Sequence, residues 1–313
     1  MKFTHILGID ISKDTIDISL SQNKANGSIT NNKFSNNLKG YKGLLAWLKE
    51  QHIALEQVLI CLENTGIYHR CLVAFLQSYQ AFVWVENAVT IKWSSGLQRG
   101  KNDQIDAQRI CLYAFRNQDK AQAYAAKDQA LQKLTDLLAS RERLIEAKKM
   151  LSVPIQELQQ VGLKQEAKYV EESCKGTLES IQKEILAIEK QLEDIIAQNK
   201  ELEANYSSVC SVPYVGKITA FHLLITTHNF TRFDCAKQLA SYGGIAPFPY
   251  QSGKSVRGKT QVHHMANKKI KRALHLCAVS SIRYVGEMKA YFDRKVREAK
   301  SNIATTLVIL DVF

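Results

Sequence analysis

Residues 4–21 read THILGIDISKDTIDISLS. An apolar run ends at Asp10, a short polar connection follows, and Ile16, Ile18 and Leu20 then alternate with polar residues. An apolar run before a polar turn and a period of two after it predict two strands in a hairpin. A third strand is expected from Ile29 to Phe34, and Leu44, Leu45, Trp47 and Leu48 form the apolar stripe of a helix. The stretch VLICLEN at 58–64 has no polar interruption until its end, as a strand buried on both faces requires. A helix through Leu72, Phe75 and Leu76 and a strand from Phe82 to Val85 complete the order βββαβαβα.

That order predicts a mixed sheet with helices on its faces. Ribonuclease-H-like domains are built this way and actin-like sugar kinases begin similarly, so order alone does not choose between them. From about residue 125 to 205 turn signals nearly vanish, and long helix is expected. Leu178, Ile181, Ile185, Ile188, Leu192, Ile195 and Leu202 keep a three-four spacing, with Asn199 as a polar seam position, and Leu137, Leu144 and Leu151 repeat similarly. The spacing predicts a coiled-coil seam. Pro154 and Gly162 are expected to divide the region into two helices, which pair with each other or with a second chain. Near residue 207 the chain turns to CSVPYVGKITAFHLL, a Pro and Gly turn before an apolar helix, as in helix-hairpin-helix elements that grip DNA backbone. The segment LASYGGIAPFPYQSGKSVRGKT at 239–260 then concentrates glycine, proline and hydroxyls, as a functional loop does.

The charge narrows the class of partner. Lys and Arg number 42 against 30 Asp and Glu, a formal charge of +12. No acid stands between Asp234 and Glu287, an interval carrying Lys254, Arg257, Lys259, Lys268, Lys269, Lys271 and Arg272. A polyanion such as nucleic acid suits that surface, although a basic stretch is also compatible with a merely solvated face. No run of residues is apolar enough to span a bilayer, and a cytosolic chain without a membrane partner is expected. The 7 cysteines are scattered without a C-x-x-C pair, which argues for reduced packing residues rather than zinc or redox chemistry.

Within this basic chain the acids are unevenly placed. Asp10 falls in the first strand and Glu63 at the end of the buried one; KNDQIDAQRI at 101–110 carries Asp103 and Asp106 one turn apart on a helix expected to begin near Asn102. Four converging carboxylates repel one another, and hard oxygen ligands of this kind select Mg²⁺ or Mn²⁺. A pair of such ions can clamp the attacking and leaving oxygens of a phosphodiester. Equally, Asp103 could be a helix cap, and Asp14, Asp17 and Glu86 are further acids nearby.

GIDISK at 8–13, LENTG at 62–66, KNDQIDAQRI at 101–110, SVPYVG at 211–216 and ASYGGIAPFPYQSGKSVRG at 240–258, in that order around a helical spacer, resemble one family. It is the Piv/MooV-like DEDD transposases, the IS-one-ten insertion-sequence recombinases. The resemblance implies an α/β plus α architecture: a RuvC-like, ribonuclease-H-like domain over 1–122, a coiled-coil spacer over 123–205 and a mostly helical transposase domain over 206–313. It implies Asp10, Glu63, Asp103 and Asp106 as catalytic, metal-holding acids and Ser252 as a nucleophile that joins DNA through phosphoserine. It also implies a bridge-type guide RNA, donor and target DNA, and a homodimer or homotetramer in which acids and serine of different subunits meet. Ser255 in the same loop is the rival nucleophile. Family members continue past YFDRKVREAK with a Met-bearing helix and a further helix, whereas here SNIATTLVILDVF follows, so an altered closing segment is expected. Three other functions stay open: a RuvC-like junction endonuclease, a disabled transposase copy that only binds DNA or RNA, and a sugar-kinase-like ATPase, for which no second glycine-rich phosphate loop follows.

Overall fold

The computed structural model describes residues 3–24, 27–94, 96, 102–125, 128–246, 251–252, 256–257, 262 and 265–299. The chain divides into two compact units, residues 1–126 and 127–313.

The first unit is a five-stranded sheet in the order β3-β2-β1-β4-β5. Strands β1 (His5–Ile11), β2 (Thr15–Gln22) and β3 (Ile29–Ser35) form an antiparallel meander, and β4 (Val58–Glu63) runs parallel to β1, with β5 (Val83–Glu86) parallel to β4. Alternation along β1 sorts the two faces. Leu7, Ile9 and Ile11 join Ile18, Ile60 and Val83 in a core that also takes Leu44 and Leu48 of α1 (Leu38–Glu50) and Leu72 and Leu76 of α2 (Arg70–Ser78). Ile6 goes to the opposite face, with Leu59, Cys61 and Trp84, under α3 (Ala88–Ser94) and α4 (Asp103–Arg116). Both faces are therefore covered, which is why VLICL carries no polar residue; each fully buried Ile or Leu contributes about 1.5–3 kcal/mol. Gly8 lies between Ile6 and Asp10 on the α4 face. A Cβ built there would stand 2.3 Å from the backbone nitrogen of Cys111 and 2.5 Å from the carbonyl oxygen of Ala107. Only a residue without a side chain lets α4 lie this close to β1.

The second unit opens with a helical hairpin. Helix α5 (Gln129–Gln160) and helix α6 (Lys164–Ala197) run side by side, with Arg141 bonded to Glu189 at 2.7 Å and Lys148 to Gln182 at 2.7 Å. Numbers rise on one helix as they fall on the other, so the pairing is antiparallel. The expected apolar seam is thus used within the chain: Ile188, Leu192 and Ile196 pack with Leu131, Leu134 and Leu138. Two expectations need correction. Pro154 does not divide the helices but sits inside α5, on its exposed side, where the missing N–H faces water. The break comes at Gly162 (φ +88°), where the amide of Gly162 bonds to Gln159 O and that of Leu163 to Leu158 O, a Schellman ending. Asn199 is not a seam residue either: its side chain accepts from the amides of Glu201 and Leu202 and caps α7 (Lys200–Ser211).

Helices α7 and α8 (Lys217–Thr227) form the second hairpin expected from the VPYVG turn. Tyr214 in that turn holds φ +67°. Beyond α9 (Ala236–Tyr242), the backbone of β6 (Gln251–Ser252) pairs with β7 (Val256–Arg257). Helix α10 (Lys268–Tyr284) then packs Ile270, Leu274, Cys277 and Ala278 against Val215, Ala220 and Leu223, and α11 (Gly286–Ala299) follows. Among the described residues no helix is long and apolar enough to cross a membrane.

Candidate functional site

Strand register builds the site. Asp17 of β2 lies opposite Asp10 of β1. One step beyond the Ile9–Leu62 pair puts Asp10 beside Glu63 of β4, and Glu63 pairs with Glu86 of β5. On the other side Asp17 pairs with Lys33 of β3. Lys33, Asp17, Asp10, Glu63 and Glu86 consequently form one row across all five strands, on the face that carries α4. Helix α4 begins above this row. Asn102 is its cap, accepting from the amide of Ile105 at 2.9 Å, so Asp103 and Asp106 occupy the first turn without serving as the cap. The close contact at Gly8 brings that turn down onto β1.

The electrostatics record the convergence. Burial raises the Asp10 carboxyl to about 6, and repulsion from Asp106, then Asp103, then Glu63 adds to it, while the amide of Ile11 opposes. The four acids expected to act together are therefore electrically coupled in the folded chain. The remaining nearby acids have other duties. Asp17 is bound by Lys33 at 2.9 Å, Glu86 accepts from the Tyr113 hydroxyl at 3.0 Å and from the amide of Asn87 at 2.7 Å, and Asp14 lies in the β1–β2 connection.

Two cations among the acids were not anticipated. Arg109 Nη1 holds Asp106 Oδ1 at 2.6 Å, and Lys33 Nζ stands 4.0 Å from Asp103 Oδ2. Arg109 is three residues after Asp106 on the same helix, a spacing visible in DAQR; Lys33 needed the strand register. In donor chemistry the four carboxylates suit a hard divalent cation, whose charge would offset both the burial and the repulsion that raise Asp10. Among the described residues, however, no three His, Cys, Asp or Glu side chains stand close enough to hold one ion. Holding a metal here requires the carboxylates to draw together and Asp106 to exchange its guanidinium partner.

In the second unit Ser252 has only its backbone described, paired with Val256 in β6 and β7, as does Arg257. Lys254, Ser255, Lys259 and the segment 300–313 lie outside the described residues. On α10, Lys268, Lys271 and Arg272 are exposed, as a phosphate-facing role needs, whereas Lys269 is tied to Glu142 of α5.

Comparison with known proteins joins these parts. A family model of DEDD type described as a transposase matches residues 7–160, and one described as a transposase of the IS116/IS110/IS902 family matches residues 206–293. The pilin gene-inverting protein of Moraxella bovis is 29% identical over 278 residues, 87% of this chain and 81% of that protein. Its counterpart in Moraxella lacunata is 28% identical over the same length. An uncharacterized 43.6 kDa protein of the insertion element IS110 of Streptomyces coelicolor is 34% identical over 139 residues, 42% of this chain and 34% of that protein.

Proposed function

The chain belongs to the IS116/IS110/IS902 family of transposases and DNA recombinases, and on that premise we propose that it cleaves and exchanges DNA strands through a serine linked covalently to DNA, assisted by the coupled acids. The observation that carries this reading is the strand register that sets Asp10 beside Glu63 under the first turn of α4, where Asp103 and Asp106 add to the burial that raises its carboxyl. We read residues 1–122 as the RuvC-like domain that bears the four acids, 123–205 as the helical spacer and 206–313 as the part bearing Ser252.

In the proposed step Ser252 Oγ loses its proton to solvent and attacks a scissile phosphorus. A serine–phosphate bond forms, the phosphorus–oxygen bond to the leaving deoxyribose breaks, and the released oxygen takes up a proton. Asp10, Glu63, Asp103 and Asp106, once drawn together, would be the residues to hold a Mg²⁺ or Mn²⁺ ion, which would supply positive charge for the phosphate and the leaving oxygen. Asp10, whose carboxyl burial and the neighbouring acids raise, would be helped to ionise by a cation. Lys33 keeps Asp17 neutralised beside it, and Arg109 keeps Asp106 oriented. The exposed Lys268, Lys271 and Arg272 take DNA backbone. A bridge-type guide RNA supplies target choice, and a homodimer or homotetramer brings acids and serine of different chains together; the resemblance in motif order supports both.

The test uses a suicide DNA substrate, copurified RNA and Mg²⁺. Wild type gives a denaturation-resistant protein–DNA adduct, Ser255→Ala keeps it, and Ser252→Ala and Asp106→Asn lose it. An adduct in Ser252→Ala overturns the nucleophile. No adduct in wild type favours instead a chain that binds nucleic acid without breaking it.

A further inference from the structure

The α7–α8 turn presents an aromatic surface that the reaction described above does not use. Tyr214, in that turn, and Tyr284, the last residue of α10, stack with ring centroids 5.6 Å apart and planes 20° from parallel. Stacked aromatic pairs are common in cores, and Tyr206 with Phe221, centroids 5.2 Å apart, is one. The Tyr214–Tyr284 pair differs because it is in water: Tyr284 is 71% exposed and Tyr214 is 43% exposed. Water alone gives little reason to keep two large rings ordered on the surface. Tyr214 moreover holds its ring in place from a left-handed backbone, φ +67°, which a non-glycine residue adopts only at a cost.

The surroundings state the charge of the missing partner. Arg283, next to Tyr284, is exposed and makes no ion pair among the described residues. The interval 235–286 that delivers Tyr284 contains no acid, and α10 also exposes Lys268, Lys271, Arg272 and His275. Flat aromatic faces beside cations, without carboxylates, are what nucleic-acid strands with unstacked bases require: the base stacks and the phosphate pairs. A paired duplex keeps its bases in its own stack and offers such rings nothing.

We propose that Tyr214 and Tyr284 form a stacking platform for an unpaired base of the DNA substrate, with Arg283 on the adjoining phosphate. The choice of DNA rests on the function proposed above, since strand exchange exposes unpaired bases. The platform would hold a melted strand while it is passed between partners.

The experiment measures binding of full-length protein to an oligothymidylate and to a blunt duplex of equal length. Tyr284→Ala weakens binding to the single strand at least about fivefold, Tyr284→Phe restores it, and duplex binding changes less than about twofold. In wild type, an oligodeoxynucleotide carrying 5-iodouracil cross-links under near-ultraviolet light to Tyr214 or Tyr284, as mapped by mass spectrometry. Equal losses on single strand and duplex, or cross-links only elsewhere, overturn the platform. Preferred binding of the same sequence as RNA, with the same dependence on Tyr284, overturns the assignment to DNA. Because none of these readouts involves Ser252, a wild type that forms no covalent adduct yet shows the tyrosine dependence refutes the recombinase reading and leaves an unpaired-base site standing.

Discussion

Gly8→Ala is expected to damage the acidic site from a position that touches no substrate. The added Cβ would stand 2.3 Å from Cys111 N, 2.5 Å from Ala107 O and 2.7 Å from Cys111 Cα. All three are backbone atoms, so no rotamer change can relieve the contact. Ordinary van der Waals separation begins at about 3.4 Å, so α4 must withdraw by roughly 1 Å or β1 must bow by as much. Overpacking of this kind costs about 1–3 kcal/mol, which is several degrees in the Tm of a unit this size. The same displacement lifts Asp103 and Asp106 off Asp10, and a misplacement of about 1 Å in a reacting constellation costs on the order of a hundredfold in rate. Thermal unfolding and adduct formation at a temperature well below the variant's Tm separate the two effects. The expected result is a modestly destabilised protein that has lost nearly all adduct formation, with single-stranded DNA binding retained. Wild-type stability, or a loss of activity no greater than the unfolded fraction explains, would refute the argument that Gly8 sets the height of α4.

In metal-free protein, Asp10→Asn should stabilise the fold at pH 7 by an amount on the order of 1 kcal/mol after allowance for solvent screening. Asp10 has its carboxyl raised to about 6, so wild-type stability is full below about pH 4 and declines as pH rises through 6. Denaturation curves of the two proteins should converge at pH 4; a constant gap at both pH values would refute the linkage. Leu192→Ala removes a fully buried side chain from the α5–α6 contact and should cost about 2–5 kcal/mol in the second unit, measured by denaturant unfolding. A cost below about 1 kcal/mol would mean the intrachain hairpin does not use that seam. Binding to nucleic acid should weaken steeply with salt, because Lys268, Lys271 and Arg272 displace counterions from phosphates. Substituting all three by Gln should flatten the plot of log affinity against log salt, and an unchanged slope would move the interface elsewhere.

The hairpin over 4–21, the fully buried VLICL strand and the helix beginning at Asn102 were legible because each has a strong period or a cap. The acids Asp10, Glu63, Asp103 and Asp106 were legible as candidates, and the structure brings their charges together. Lys33 was not, since nothing local distinguishes a lysine in ITNNKFS; its meaning comes from the register that sets it opposite Asp17. Gly8 was visible as a residue but not as a contact with α4, about a hundred positions away. The seam of α6 was legible, but its partner was not, because an apolar stripe pairs equally well with its own chain or another. Pro154 misled for a physical reason: a proline on the exposed side of a long, well-packed helix loses one bond to a carbonyl that water can satisfy. Asn199 misled because a cap and a polar seam residue are the same amino acid until the helix ends are known.

The contact between α4 and β1 also sets a timetable. Asp10 emerges from the ribosome long before Asp103 and Asp106, and the strand that carries Glu63 comes between. Closing a loop of that span costs on the order of 4 kcal/mol in chain entropy, which is recovered only when α4 settles over Gly8. A growing chain can therefore pair β1 with β2 and even add β4 while Asp103 and Asp106 are still missing from the cluster. The four acids can gather only when the unit's last helix has been made, so incomplete translation products should carry the sheet without the acidic cluster.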